Sequence, residues 1–274
     1  MTFQIKIGNS KILKGIIETL SSIIEETQIH VDPNEFTITA MDPSRICILK
    51  FTMKKEHFDG YKCKKEANIG INLQDLDKIL KRSSANDSIT LDFEENDQKV
   101  KIKMNRDKSL RTRTFSLALL DLDYEEIPID NLLGIEYSSK GSIDSSLLIE
   151  ACKDAEIYSE VLTITSREKK GLAFQSSGQI GEMNYEVGID ELKHIELSGE
   201  DQSTYSLTFL KSILKAASIT KHLEFFLRQD HPLKLIFELE TGGELLYFLA
   251  PRVDQEEYTE DDNELNDLAE MSEE

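Results

Sequence analysis

The chain has 274 residues, 39% of them hydrophobic and 31% charged, which is the composition of a globular protein and excludes a membrane-embedded or disordered class. No apolar run approaches the roughly 18 residues that span a bilayer, and the start lacks the basic and then apolar order of a signal peptide, so we expect an intracellular protein without a membrane partner. Cys47, Cys63 and Cys152 are too scattered for a disulfide framework and predict reduced thiols, at least two of them buried.

The first half of the chain alternates helical and strand patterns. Apolar residues three and four apart predict a first helix along Ile12, Leu13, Ile16, Ile17, Leu20 and Ile24. Two strands follow, FTITAMD and ICILKFTM. A second helix is predicted by the stripe of Leu73, Leu76, Ile79 and Leu80. Three more strands are predicted after it, SITLDFEE, KVKIKM and RTFSLALL.

A polar stretch, LLDLDYEEIPIDNLLGIEYSS, separates the two halves. It is acidic and has no clear period, and Pro128 with the surrounding acids would interrupt a buried strand. We therefore predict an exposed connector over residues 119–135, between domains at residues 1–118 and 136–253.

The second half repeats the plan of the first. Its third helix follows the stripe of Leu147, Leu148, Ala151, Cys152 and Ala155, and its fourth that of Leu207, Leu210, Ile213, Leu214 and Ala217. The predicted strands are VLTITS, GLAFQSS and NYEVGI between these helices, and HLEFFL, PLKLIF and LLYFLAP after them. The segment LKSILKAAS at 210–218 repeats LDKILKRSS at 76–84, with five of nine positions identical. Short helices need a sheet to pack on, so the sequence predicts two like-folded α+β domains.

Charge is unevenly distributed along the chain. Residues 254–274 hold eleven acids and no base, out of a formal net charge of −20, and we expect this acidic tail to be disordered and solvated.

Catalytic and metal-binding motifs are missing from the sequence. There is no GxSxG, GxxxxGK[ST], GxGxxG or HExxH pattern, and the five histidines are dispersed. Asp121 and Asp123 form a DxD that could hold a divalent cation, although solvated loop charges explain such a pair more often. We predict no catalytic residue, no metal and no cofactor.

The predicted helices carry bases opposite their apolar stripes. Lys78 and Lys81 face outward on the second helix, with Arg82 at the edge, and Lys215 does so on the fourth, with Lys211 at the edge. Lys11 and Lys14 share the outer face of the first helix with acids, and the third offers Lys153 beside Glu150. Each face alone is explained by ordinary solvation, but together they favour sequence-independent contact with a nucleic-acid backbone.

Several segments resemble the sliding clamp of archaea and eukaryotes, proliferating cell nuclear antigen: AMDPSRICIL, FDGYKC, NIGINLQDLDKILKRSSANDSITL, LLDLD, LTFLKSILKAA and LLYFLAPRV. The resemblance runs in order from Phe3 to Val253. It implies a closed homotrimeric ring with the helices around a central hole and antiparallel sheets outside. By this resemblance the ring would be a processivity factor and scaffold without catalysis that encircles duplex DNA, in the nucleus of a eukaryote or the cytoplasm and nucleoid of an archaeon.

The resemblance also implies site residues and partners. DNA would be contacted by Lys14, Lys78, Lys81, Lys153 and Lys215, with Lys11, Arg82 and Lys211 as neighbours. Short peptide motifs of DNA polymerase, clamp loader, ligase and flap nuclease would bind a groove made by Met41, Arg45, Ile46, Ile48, Leu122, Ile127, Pro128, Pro232, Phe248, Ala250, Pro251 and Arg252, where the chain after Leu249 would pair with an extended peptide. The connector is longer than the family pattern.

Subunits would join edge to edge in this ring. The resemblance implies that Arg111, Arg113, Phe115 and Leu117 meet Glu182, Met183, Tyr185 and Val187 of a neighbour. Two alternatives stay open, a damage-checkpoint ring subunit that joins different partners and a metal-dependent hydrolase of phosphate esters.

Overall fold

The computed structural model describes residues 1–106, 111–123 and 127–252, so the predicted acidic tail lies outside the described residues. The helices are α1 (Ser10–Leu20), α2 (Leu73–Leu80), α3 (Ile129–Leu133), α4 (Ser145–Ala155) and α5 (Leu207–Ile213), with 3₁₀ turns at Lys55–His57, Ile189–Glu191 and Leu214–Ser218. The strands of the first half are β1 (Phe3–Ile7), β2 (Glu26–Val31), β3 (Glu35–Met41), β4 (Cys47–Lys54), β5 (Gly60–Cys63), β6 (Ala67–Asn72), β7 (Asp87–Phe93), β8 (Lys99–Arg106) and β9 (Thr112–Ala118). Those of the second half are β10 (Ser139–Asp144), β11 (Val161–Arg167), β12 (Gly171–Gly178), β13 (Gly181–Gly188), β14 (Lys193–Leu197), β15 (Gln202–Ser206), β16 (His222–Leu227), β17 (Leu233–Glu238) and β18 (Glu244–Leu249).

Both halves follow one order of elements. Each places a helix after its first strand, α1 or α4, and another after its sixth, α2 or α5, before three final strands. This repeat confirms the predicted pair of like α+β domains. The connector, with its short helix α3, lies between them.

Three antiparallel sheets carry the helices. Their strand orders are β5-β1-β7-β8-β9, β14-β10-β16-β17-β18-β4-β3-β2-β6 and β13-β12-β11-β15. The nine-stranded sheet joins the halves because β18 pairs with β4, where Phe248 lies opposite Ile48. The two domains are therefore linked by a backbone ladder as well as by the connector.

The four long helices form where the apolar stripes predicted them. Asn9 and Asn72 cap α1 and α2 by accepting hydrogen bonds from the amides of Lys11 and Asp75, at 2.9 and 3.0 Å. The first helix was predicted to reach Ile24 but ends at Leu20, and Ile24 is nevertheless buried. The fourth tightens into a 3₁₀ turn at Leu214.

Seven strands and α3 were missed by the sequence patterns. Several of these strands are polar, such as SKGSID in β10 and QSTYS in β15. Ser139 of β10 is buried because a carboxylate satisfies its hydroxyl: Ser139 Oγ donates to Asp201 Oδ2 at 2.6 Å and lies 2.8 Å from Ser166 Oγ. A rule that looks for alternating apolar residues cannot find such a strand.

The main core lies between the helices and the sheets and runs through both halves. Cys47 and Cys152 are buried within it, Cys63 is partly buried, and all three are free thiols, as predicted. Within the described ranges, no helix is long and apolar enough to cross a membrane.

Candidate functional site

The helices form one layer whose outer surface carries the predicted DNA-binding bases. α1 packs against α2 and against the 3₁₀ turn after α5, and α4 packs against α5. Gly15 permits the contact between the halves, since a Cβ there would lie 2.3 Å from Ile219 Cγ2. All the predicted bases point away from the core, with Lys14 half-buried and the other seven exposed: Lys11, Lys78, Lys81, Arg82, Lys153, Lys211 and Lys215. The structure thus brings together on one surface residues that are up to 204 positions apart.

Acids within the same chain neutralise some of these bases. Lys78 Nζ lies 2.9 Å from Asp75, and Lys81 Nζ lies 2.6 Å from Asp77. The hydrogen bonds to these two carboxylates raise the pKa of both lysines, which therefore stay protonated but already have a partner.

Other bases on this surface remain uncompensated. Lys211 pairs with Glu156, but Lys11, Lys14, Lys153 and Lys215 form no ion pair with any residue in the described part of the chain. Because they have no competing acid within 4.0 Å, these four are the lysines best placed to attract a phosphate backbone.

The two predicted subunit edges are both terminal strands. β9 is the last strand of the five-stranded sheet, and β13 is the last of the four-stranded sheet. Terminal strands present unpaired N–H and C=O groups that can extend a ladder into another chain. Phe115, Met183 and Tyr185 are half-buried here, whereas Leu117 and Val187 are 8% and 3% exposed and belong to the subunit's own core.

Two of the charged side chains on these edges form ion pairs within the subunit. Arg113 donates to Asp87 Oδ2 at 2.6 Å and to the carbonyl of Arg82 at 2.9 Å, while Glu186 accepts from Arg167 at 2.9 Å. Hydrogen bonds from the Ser84 amide, and then the two neighbouring arginines, lower the pKa of the Asp87 carboxyl. Arg111 and Glu182 are exposed on the same two edges.

A separate apolar cluster lies on the nine-stranded sheet, apart from the main core. Ile48, Leu246 and Phe248 are 9%, 4% and 2% exposed and form its buried floor. Met41 pairs with Ile48 across β3 and β4, and Phe248 pairs with Ile48 across β18 and β4, so these three lie side by side. Packed around the floor are Met41, Ile127, Ile129, Leu132 and Ile236.

Sequence reasoning found four members of this cluster, Met41, Ile48, Ile127 and Phe248. It missed Ile129, Leu132, Ile236 and Leu246. The signal for the first two was the spacing of three in IDNLL, which the neighbouring proline and acids obscured. The signal for Leu246 was its alternation with the core-facing Leu245 and Tyr247, hidden because both faces of β18 are buried.

An open groove of about 840 Å³ lies beside the cluster. Met41, Leu122, Ile127 and Ile129 form part of its wall. The side-chain Nε2 of Gln28 holds the connector there by donating to the Leu122 carbonyl at 2.9 Å. Polar and charged residues line the rest: Glu26, Glu35, Glu66, Asp123, Asp130, His30 and Lys50. Acids outnumber bases along this groove, so a basic peptide segment is the better electrostatic match.

The other predicted groove residues lie outside the apolar cluster. Arg45 and Ile46 are exposed on the turn between β3 and β4, which Asp42 holds by accepting from the Ile46 amide at 2.7 Å. Pro128 is exposed before α3, and Pro232 is half-buried, its carbonyl accepting from Tyr137 at 3.0 Å.

The backbone after Leu249 differs from expectation. The Ala250 amide donates to the Ile46 carbonyl at 2.8 Å and the Arg252 amide to the Thr204 carbonyl at 2.7 Å, while Pro251 has no N–H. The predicted pairing of this stretch with an extended peptide therefore has no free N–H donor between Leu249 and the end of the described chain. A peptide can use only carbonyl oxygens there.

Reactive groups are not assembled on the described surface. Asp121 and Asp123 are exposed, and no group of three or more His, Cys, Asp or Glu in the described ranges is placed to hold a metal ion. Burial raises the pKa of Cys152 to about 12 and raises that of Cys47 as well, so neither thiol is ionised at neutral pH.

The chain matches known proteins along nearly its whole described length. A family model described as proliferating cell nuclear antigen, N-terminal domain, matches residues 2–126, and one described as the C-terminal domain matches residues 131–252. The DNA polymerase sliding clamp of Methanococcus vannielii is 31% identical over 251 residues, which is 90% of this chain and 97% of that protein. That of Methanococcus maripaludis strain C5 is 29% identical over 252 residues with the same coverage.

Proposed function

The chain belongs to the proliferating cell nuclear antigen family, and we propose that it is a DNA polymerase processivity factor, a ring-shaped sliding clamp that encircles duplex DNA and tethers replication and repair enzymes. The observation that carries this function is the single helix layer with outward lysines, backed by sheets in which β9 and β13 are terminal strands. A closed ring with the helices inside gives the outward lysines access to the duplex and gives the edges of β9 and β13 a partner.

Three copies of the chain form the ring. β9 of one subunit pairs with β13 of the next, so the five-stranded sheet of one copy continues into the four-stranded sheet of its neighbour. The half-buried Phe115, Met183 and Tyr185 gain cover at this junction, and exposed ion pairs across it add about 0–1 kcal/mol each. Backbone pairing and apolar contact therefore supply most of the affinity.

The ring holds DNA by topology and touches it loosely. Lysine contacts to phosphate carry no base information, which suits a protein that must slide along any sequence. The ring is a scaffold without catalysis, and it works inside the cell where DNA is replicated.

Partner enzymes dock on the outside of the ring. Polymerase, clamp loader, ligase and flap nuclease bring a short peptide with a glutamine, an aliphatic residue and two aromatics at helical spacing. It binds over Met41, Ile127 and the floor of the apolar cluster, a helix-in-groove mode, and its basic flank follows the acid-lined groove. The acids attract that flank and speed association at low salt.

Light scattering tests the assembly directly. We expect a mass about three times the 31.3 kDa of one chain. A checkpoint-type subunit would stay monomeric until different partner chains are added, and a magnesium-dependent hydrolase would turn over a phosphate ester as a monomer.

Retention on plasmid tests the clamp function. Loaded by the host's clamp loader, the protein should stay on a nicked circular plasmid and leave it after a single cut makes the plasmid linear. Equal retention on both forms would contradict a topological tether.

A further inference from the structure

The apolar floor is buried although it lies on the outer face of a sheet. Ile48, Leu246 and Phe248 are 9%, 4% and 2% exposed, and they are not part of the main core. Besides sheet residues, the described side chains packed against them come from the connector, Ile127 followed by two residues of α3. The floor is therefore closed by a segment of the connector.

We infer that α3 is a removable cover of the partner-peptide groove: Ile129 and Leu132 occupy the floor in the free subunit, and a partner peptide binds by displacing them. This inference rests on the proposed partner groove. Ile127 precedes α3 and remains a wall for the incoming peptide. Of the two cover residues, Ile129 also lines the open groove, whereas Leu132 contacts only the cluster, so Leu132 gives the clearer test.

The cover is weakly held. α3 has five residues and no side-chain cap, and a helix of that length is not stable by itself in water. The backbone hydrogen bonds of its described residues stay within the connector, and one of them runs from the Gly134 amide to the Asp130 carbonyl at 3.2 Å. No described side chain of α3 is hydrogen-bonded to the sheet, so apolar contact alone keeps it in place.

α3 also resembles the helical part of a partner peptide. Ile129 and Leu132, three residues apart on a helical turn, present two apolar side chains to the floor as a short helical peptide would. Aromatic side chains bury more surface than Ile or Leu. A peptide with two aromatics therefore displaces α3, whereas a peptide with weaker anchors is excluded.

The cover lowers the apparent affinity of every peptide, because that affinity scales with the fraction of subunits whose groove is open. Replacing one half-buried aliphatic residue of α3 by serine should favour the open form about five- to tenfold. A gain of affinity is the distinguishing sign, since truncating a groove wall causes a loss.

Calorimetric titration of the full-length protein tests this with a synthetic peptide that carries the glutamine, aliphatic and two aromatic residues. Leu132→Ser should bind about five- to tenfold more tightly than the unmodified protein. Leu133→Ser is the matched control, because Leu133 is on the same helix but 45% exposed, and its affinity should not change. Equal or weaker binding by Leu132→Ser would overturn the cover and make α3 a wall.

A second measurement needs no peptide. Ile48→Cys, in a chain with Cys63→Ser, places a thiol under the cover while the other two cysteines are buried. Maleimide labelling should be slow, faster with Leu132→Ser, and unaffected by Leu133→Ser. Equal rates in all three would overturn the cover. Faster labelling without peptide binding by any variant would support the cover and overturn the proposed partner groove.

Discussion

Proline at Ser116 should break the ring without unfolding the subunit. The Leu119 amide donates to the Gln98 carbonyl at 2.9 Å, and Ser116 lies opposite Lys101 in the same register. Hydrogen-bonded and non-hydrogen-bonded pairs alternate along an antiparallel ladder, so the Ser116 N–H points away from β8 toward the free edge. Proline at such a position costs the subunit no ladder bond.

The cost falls on the junction between subunits. A proline there removes one donor and leaves a carbonyl of the neighbouring β13 unpaired, which costs about 1–3 kcal/mol per junction. That weakens each junction about 5- to 150-fold. A closed ring has three such junctions, so complete dissociation becomes easier by about 3–9 kcal/mol.

Sedimentation velocity over a wide concentration range measures the effect. Ser116→Pro should shift from trimer to monomer at concentrations where Ser116→Ala, which keeps the N–H, remains trimeric. Phe115→Pro is the opposite control, because that N–H points to β8 and its loss should lower the melting temperature. A Ser116→Pro trimer as tight as the Ser116→Ala trimer, with the fold intact by circular dichroism, would refute the assignment of this edge.

Three further experiments test the charged surface, the groove and the support of the edge. Lys14→Ala with Lys215→Ala should flatten the salt dependence of retention on circular DNA more than Lys78→Ala does, because Lys78 is already paired; equal effects would contradict this. Ile127→Ser should weaken calorimetric peptide affinity about tenfold, and an unchanged affinity would move the partner site elsewhere. Asp87→Asn should be less stable than the unmodified protein at neutral pH in urea unfolding. Because the folded pKa of Asp87 is lowered, that difference should hold above the unfolded pKa of about 4 and shrink as the pH falls below it, whereas a pH-independent difference would argue against a role for the charge.

The sequence was most informative where one face of an element is apolar. The stripes of α1, α2, α4 and α5 and the strand runs predicted both domains, because their periodicity records burial directly. Polar strands escaped because burial there depends on a distant partner, as Asp201 satisfies Ser139 from 62 positions away. In the connector, the composition correctly indicated exposure but hid a short helix whose stability comes from the sheet beneath it.

The candidate surfaces were likewise only partly predictable from the sequence. The lysines were found from helix geometry, since an outward position is defined by the stripe opposite it. The ion pair of Lys211 was not found, because Lys211 lies on α5 and its partner Glu156 follows α4, far away in the sequence. The floor of the groove needed the register of β3, β4 and β18, which no local pattern contains.

If the helix layer contacts DNA as proposed, the paired lysines explain how an acidic protein can slide on an acidic polymer. Lys78, Lys81 and Lys211 each have a carboxylate partner, so a phosphate must compete with that carboxylate for them and gains less from each contact. Weak, exchangeable contacts keep the barrier to sliding low. Weak contacts also mean that a single subunit or an open ring binds DNA with low affinity. A subunit with this surface therefore depends on ring closure to remain on DNA. The salt dependence of retention should therefore reflect the stability of the ring junctions as well as the phosphate contacts.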